Sequence, residues 1–433
     1  MEALRDMALP GGGVSRGVSL RESIVMTLRT MMSAALVAAC CNWVTAADWP
    51  QWRGPERSAV STESGLLQSW PEGGPKLIRT IEGLGKGQSS PIIARGRIFI
   101  SGHLNERQIL FCFSTDGRKL WAFDNGSYDR ARFGAQPSAL VDGELVYILS
   151  EPGRLAAIDF SSGKEIWQRS YKEFHAPLPR FSYADSLIIH DEKLICMPGG
   201  TEAPVIALDK ESGTLLWKSS GFDDRMAYCS GTIATIAGVP QYIALSDIGL
   251  LSVGISDGEL LWRYDAPFAG ARNSLTPIVW KDHVYADSGR KGCAAVLKIT
   301  RPGETFKVES LRETEKQRSH LGGFADLNGK IYGHNGNGWI CIDMESAEEL
   351  HRNEEIPNGS TIYADKRFYS LSDKGVMHLI EGDETSSRVV GQFPLPNAGP
   401  KCWARPAISD GLLHIRNADK LFIYDVRKSG RKN

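Results

Sequence analysis

Four copies of one short phrase punctuate the chain: Asp116-Gly-Arg-Lys-Leu-Trp121, Ser162-Gly-Lys-Glu-Ile-Trp167, Ser212-Gly-Thr-Leu-Leu-Trp217 and Asp257-Gly-Glu-Leu-Leu-Trp262. Their tryptophans fall 46, 50 and 45 residues apart. A unit of that length cannot bury both faces of its own sheet, so it must stack on its neighbours. Turn glycines and strand-like flanks make the unit a blade of a radial β-array.

Tight turns between short apolar runs give a second, independent count. They lie at Arg95-Gly96, Asp142-Gly143, Asp191-Glu192, Gly238-Val239, Asp282-His283, Asn328-Gly329, Asp365-Lys366 and Asp410-Gly411. Asp-Gly and Asn-Gly favour two-residue turns whose twist matches that of the strands. Eight hairpins imply eight blades. The tryptophan phrase continues in weaker form through Gly303-Glu-Thr-Phe306 and Glu348-Glu-Leu-His351, with a vague equivalent near Gln392. Blade two reads as strands at about 136–141, 144–150, 154–160 and 164–169. Blade eight, 404–426, has only three strands, and Pro75 to Thr80 offers the missing outer one. That pairing would leave no exposed sheet edge. The expected fold is therefore all-β: an eight-bladed β-propeller of four-stranded antiparallel blades over 74–427, closed by an N-terminal outer strand.

Within the phrase, glycine supplies positive φ in a hairpin. Tryptophan on the outer strand can pack on the adjacent blade while its N–H finds a carbonyl. Repetition at the blade period assigns Trp121, Trp167, Trp217 and Trp262 to structural docking rather than to ligand stacking.

Residues 1–47 read as a targeting segment: Arg21 and Arg29, then an uncharged run from Met31 to Cys41, then small residues at Val44 to Ala47. Met26 is an alternative start. The run is too short to span a bilayer. The mature protein is expected to be exported, periplasmic or secreted, or else a lipoprotein anchored at Cys40, whose Val37-Ala-Ala-Cys40 resembles a lipoprotein box. Residues 48–73 form an N-terminal extension expected to pack on the propeller through Trp49, Trp52 and Trp70, and 428–433 a basic tail. A net charge of −1 with 42% hydrophobic residues argues against nucleic acid or an anionic membrane as partner. Three of the six later cysteines, Cys112, Cys196 and Cys341, sit in apolar strand patterns and no CxxC occurs, so they read as buried small hydrophobes. The histidines show no metal-binding spacing.

The Ala-x-Asp-x-x-x-Gly-x-x-x-Trp phrase, as in Ala157 to Trp167 and Ala207 to Trp217, is similar to the tryptophan-docking motif of pyrroloquinoline quinone (PQQ)-type propeller repeats. Asp48-Trp-Pro-Gln-Trp-Arg-Gly-Pro55 and Trp70-Pro-Glu-Gly-Gly-Pro-Lys76 resemble the start of exported PQQ-like repeat proteins of planctomycete bacteria. More distant resemblances are to the propeller lipoprotein of the outer-membrane barrel assembly machinery and to quinoprotein alcohol dehydrogenases. The resemblance implies the propeller fold. It leaves two kinds of function, a non-catalytic scaffold and an oxidoreductase using calcium-bound PQQ. Quinoprotein dehydrogenases often place adjacent cysteines against the cofactor, and here the only such pair is Cys40-Cys41 in the leader.

Residues just before each first strand should meet at one mouth of the central channel. This ring comprises Lys86, Gln88, Arg132, Gln136, Arg180, Tyr183, Tyr228, Arg272, Asn273, His320, Asn358, Trp403 and Arg405. Its arginines could fork onto carboxylate or phosphate, as in PQQ, an acidic glycan or an acidic peptide. Alternatively they pair with Asp129, Asp185 or Asp223 nearby. The preferred reading is an exported, monomeric, non-catalytic propeller that presents this funnel to an envelope protein or an anionic ligand, with no cofactor or catalytic residue and no metal. The alternative is a PQQ-dependent oxidoreductase. A third, polysaccharide binding or cleavage, would use Trp403 and Tyr183 as exposed aromatics. Gly254-Ile-Ser-Asp-Gly258 matches a hydrolase pattern but falls on a strand-to-strand turn rather than the elbow that pattern requires.

Overall fold

The computed structural model describes residues 48–428 apart from 130–132, 180–181, 271–272, 290–291, 316, 318, 320–322 and 400. Those residues form eight four-stranded antiparallel sheets. The innermost strands are short: Ile92–Ala94, Leu140–Asp142, Ile188–His190, Thr232–Ile236, Ile278–Trp280, Ala325–Leu327, Gly359–Ala364 and Ala407–Ser409. Each turns at once into the second strand of its blade. Arg95 and Gly96 (φ 51° and 73°), Asn328 and Gly329 (54° and 84°) and Asp410 and Gly411 (56° and 66°) all hold two consecutive positive-φ residues, the geometry that matches strand twist in a hairpin.

Closure follows the expected route. Lys76–Ile81 pairs antiparallel with Lys420–Asp425 as the outer strand of blade eight. Arg416 reinforces the joint from within. Its buried guanidinium donates to Ser89 Oγ at 2.6 Å, to the carbonyl of Ser101 and to that of Gly85 at 3.3 Å, all in blade one or its entry. Burial lowers its pKa from 12.5 to about 9, opposed by Asp419.

A register shift recurs between the third and fourth strands of the blades. In blade two Ala157 pairs with Trp167 and Ile158 with Glu165, so Ile166 is bulged out. Blades one, three and four skip Leu120, Leu216 and Leu261 in the same way. A bulge raises local twist and re-aims the side chain beside it. Here it precedes each docking tryptophan. Trp121, Trp167 and Trp217 donate their Nε1–H to the carbonyls of Phe160, Lys210 and Ile255 in the next blade, at 3.1, 2.9 and 2.9 Å. Trp262 differs: its Nε1–H goes to Gln241 Oε1 of its own blade at 2.7 Å.

Serines placed just before the first strands stitch the blades from the inside. The amide of Arg405 donates to Ser90 Oγ, that of Ser90 to Ser138 Oγ, that of Ser138 to Ser186 Oγ and that of Ser186 to Ser230 Oγ, at 2.8 to 3.4 Å. The segment around Ala135 pairs backward with Lys86 to Ser89 of blade one rather than within blade two. For that reason the first strand of blade two starts at Leu140, later than the 136 expected from sequence.

Residues 48–66 cross the channel at the end where the first strands turn into the second. Trp49 bridges Ile93, the carbonyl of Pro50 accepts from Val141, that of Ser58 from Asp326, and Ala59 and Ser61 bond Tyr363. Arg57 reaches the far side. Its guanidinium donates to the carbonyls of Gly231 (2.8 Å), Ser186 (2.7 Å) and Leu187. The stretch from Trp49 to Ser61, touching the inner strands of blades one, two, six and seven, and through Arg57 blades three and four, lies across the axis. Asp185, read from sequence as a partner for a ring arginine, faces Arg57. Burial raises its pKa to about 6, while Arg57 and a hydrogen bond to Ser230 pull it down. Cys112, Cys196, Cys229, Cys293, Cys341 and Cys402 are all buried, and none is in a disulfide.

Candidate functional site

With one end of the channel crossed by the extension, the lead-in segments to the first strands define the other mouth. Of the residues expected to meet there, Arg132, Arg180, Arg272 and His320 lie outside the described residues. The rest divide into packed and accessible positions.

Three are buried and committed to backbone. Tyr183 is 1% exposed; its hydroxyl donates to the carbonyls of Pro198 at 3.0 Å and Pro177 at 3.2 Å, and its ring meets Tyr171 edge-on at 4.9 Å. It is not the exposed aromatic that the saccharide reading used. Asn273 is fully buried and donates from Nδ2 to the carbonyl of Ser246 at 2.6 Å, tying the lead-in of blade five to blade four. Arg405 is buried. Its Nη1 donates to the carbonyl of Thr361 at 2.5 Å, and its guanidinium stacks over the ring of Trp52 at 5.4 Å. It belongs to the packing of the extension rather than to the mouth. Burial is also why its pKa falls well below 12.5, with Arg53 as a second cause.

Gln88, Gln136, Tyr228 and Trp403 are half-buried at the mouth. Gln88 is fixed through its backbone N–H to the carbonyl of Ala135 at 2.8 Å, and its Oε1 accepts from the amide of Trp403 at 3.2 Å. This joins the entries of blades one and eight. Trp403 packs against Phe133 at 5.4 Å between ring centres, and the Lys401 ammonium stands over both rings at 5.0 and 4.8 Å. Such a cation–π contact steadies the lysine above an aromatic platform. Tyr228 is held by its amide to the carbonyl of Asn273 at 2.8 Å.

Behind Gln136 sits a carboxyl that the sequence reading overlooked. Glu151, in the turn between the second and third strands of blade two, is 1% exposed. Burial pushes its pKa up from 4.5 to about 8 against a hydrogen bond from Gln136, and Oε2 has no partner. It is protonated at neutral pH and offers a donor rather than an anionic ligand. Its sequence signal is slight, a Glu-Pro-Gly turn indistinguishable from a solvated one.

Calcium takes about six to eight oxygen ligands, drawn from carboxylates, amide and backbone carbonyls and water. Among the described residues no three His, Cys, Asp or Glu side chains converge, and the carboxyl adjoining the mouth is kept neutral by burial. The described mouth residues bring no cluster of ionised carboxylates together. What they form is an aromatic and amide surface with a lysine above it, on the face carrying the interblade loops.

The family model described as outer membrane protein assembly factor BamB matches residues 55–182 and 115–350. Quinoprotein alcohol dehydrogenase PedH of Pseudomonas putida is 22% identical over 266 residues, 60% of this chain. The chain spans only 21% and 40% of the length of the curated relatives it matches. Among solved structures, BamB from Moraxella catarrhalis superposes with a TM-score of 0.58 at 14% identity, over 83% of this chain and 99% of that one. Quinohemoprotein alcohol dehydrogenase from Comamonas testosteroni gives 0.64 at 11% identity, over 89% and 82%. At such identities the structural likeness shows the fold. No helix among the described residues is long and apolar enough to cross a membrane.

Proposed function

Because this chain belongs to the family described as outer membrane protein assembly factor BamB, we propose that it is an exported, non-catalytic propeller. In this reading it holds a partner protein, or an anionic ligand, at the channel mouth formed by the lead-in segments. One observation carries the reading: Trp403 and Phe133 form a half-buried aromatic platform under the Lys401 ammonium. Aromatic anchors ringed by polar groups are the usual centre of a protein interface, and the lysine favours an acidic partner. Support comes also from rigidity. The extension and the serine stitching hold the mouth still, so its loops can vary on a fixed frame.

The oxidoreductase alternative takes its motivation from the quinoprotein relatives. Calorimetric titration of the purified protein with PQQ, with and without calcium, separates the two. The scaffold reading expects no saturable heat in either condition. Saturable binding lost in Arg132→Ala or Arg272→Ala, together with dye reduction by alcohols or sugars, would replace it with the oxidoreductase.

A further inference from the structure

A second site lies away from the channel, between the outer parts of blades five and six. A cleft of about 410 Å³ opens there, lined by Arg312, Gln317, Asn335, Glu349, Arg352 and Glu354 among others. We propose that this cleft binds a neutral saccharide.

The lining argues for that chemistry in three ways. First, the ionised groups among the described lining residues cancel, two arginines against two glutamates, so these residues bring no net charge with which to collect an anion or a cation. Second, the polar groups are held in place before any ligand arrives. Arg352 forks onto Glu349 through Nε to Oε1 at 2.7 Å and Nη2 to Oε2 at 2.8 Å, and Arg312 Nη2 joins the same oxygen at 3.4 Å. The Asn335 side chain, 1% exposed, accepts from the amide of Asn337 at 3.0 Å. Third, one buried donor is left over: Gln317 is 4% exposed and its Nε2 has no hydrogen-bond partner. An unmatched buried donor is costly, and a ligand oxygen satisfies it. Guanidinium and amide donors beside carboxylate acceptors suit a hydroxyl, which donates and accepts at once. None of the described lining residues is aromatic, so these residues recognise by hydrogen bonding rather than by stacking.

The test is saturation-transfer NMR on the full chain with three neutral probes, maltotriose, cellotriose and xylotriose. The site predicts saturable transfer to at least one of them. Gln317→Leu should weaken it about fivefold, as for one lost hydrogen bond. Glu354→Gln, on the exposed rim and harmless to folding, should weaken it about tenfold, as for a charge-assisted bond. Trp403→Ala should leave it unchanged, which keeps this site distinct from the channel mouth. Absence of saturable transfer from all three probes overturns the proposal, as does transfer unaffected by Glu354→Gln or abolished by Trp403→Ala.

Discussion

The joint between blades two and three and the joint between blades four and five start from the same phrase and end in different packing. At the first, Trp167 reaches across to the carbonyl of Lys210, and a Cβ on Gly213 would lie 2.7 Å from its ring. At the second, Trp262 turns back to Gln241, and the corresponding Gly303 has nothing within 4 Å of its Cβ position. Both glycines adopt the same backbone, φ 70° and 69°. The phrase therefore encodes the hairpin and the bulge, while docking depends on how close the receiving turn comes. The third and fourth strands of blade five, Ala294–Thr300 and Lys307–Thr314, are longer than their equivalents in blade three, Ile206–Asp209 and Leu215–Lys218, and the turn they carry is not the one that receives the ring.

Four experiments sharpen or break this contrast. The largest effect concerns buried acids on the two sides. Asp224, by blade four, takes two bonds from Arg263 at 2.6 and 3.2 Å, whereas Glu151 in blade two keeps an oxygen without a partner. The folded pKa of Glu151, about 8, exceeds the ordinary 4.5, so the folded state holds a proton that the unfolded chain releases. Stability contributed by that proton is complete below about pH 4.5 and is lost as pH rises to about 8. Glu151→Gln should remove the loss, gaining on the order of 3 kcal/mol at pH 7. Denaturant melts of both proteins at pH 5 and pH 8 check it; parallel pH profiles would refute the assignment.

Next, Gly213→Ala should cost about 3 kcal/mol and Gly303→Ala about 1 kcal/mol, since both meet the positive-φ penalty but only the first meets a tryptophan. Equal losses in thermal melts would erase the distinction between the joints. Gln241→Leu leaves the Trp262 N–H and the Ser252 hydroxyl, 2.7 Å from the same oxygen, without their acceptor. It should destabilise by about 2 kcal/mol, and a near-zero change would mean that Trp262 has another partner. The smallest effect is Trp167→Phe, which keeps most of the ring and loses one hydrogen bond, about 1 kcal/mol. Hydrogen exchange should report it in blades two and three alone.

The legibility of this molecule in its sequence follows the range of the forces. Hairpins are local, so Arg95-Gly96 and Asn328-Gly329 announce themselves, and counting them yields eight blades and the closing strand at Lys76–Ile81. Trp262 reads like its three predecessors, because its divergence lies in blade five, where Trp gives way to Phe306. The mouth was harder still. Arg405 and Tyr183 precede their first strands at the right offset, yet their carbonyl partners come from elsewhere: Thr361 is 44 residues away, and Pro198 follows the second strand of blade three. Arg57 finds Gly231 across 174 residues. Nothing in a run of neighbours distinguishes such a buried guanidinium from a solvated one. The stitching serines, by contrast, sat in view at Ser90, Ser138, Ser186 and Ser230, a period as regular as that of the tryptophans.

The extension across the axis bears on the order of assembly. Residues 48–81 leave the ribosome before any blade exists, yet their partners run from Ile93 to Arg427. These contacts span most of the sequence, so their loop-closure entropy must be overcome late. The ring can seal only when Lys420–Asp425 is in place to receive Lys76–Ile81. The pairing of Lys76–Ile81 with Lys420–Asp425 joins segments from nearly opposite ends of the propeller sequence, so it carries a large loop-closure entropy.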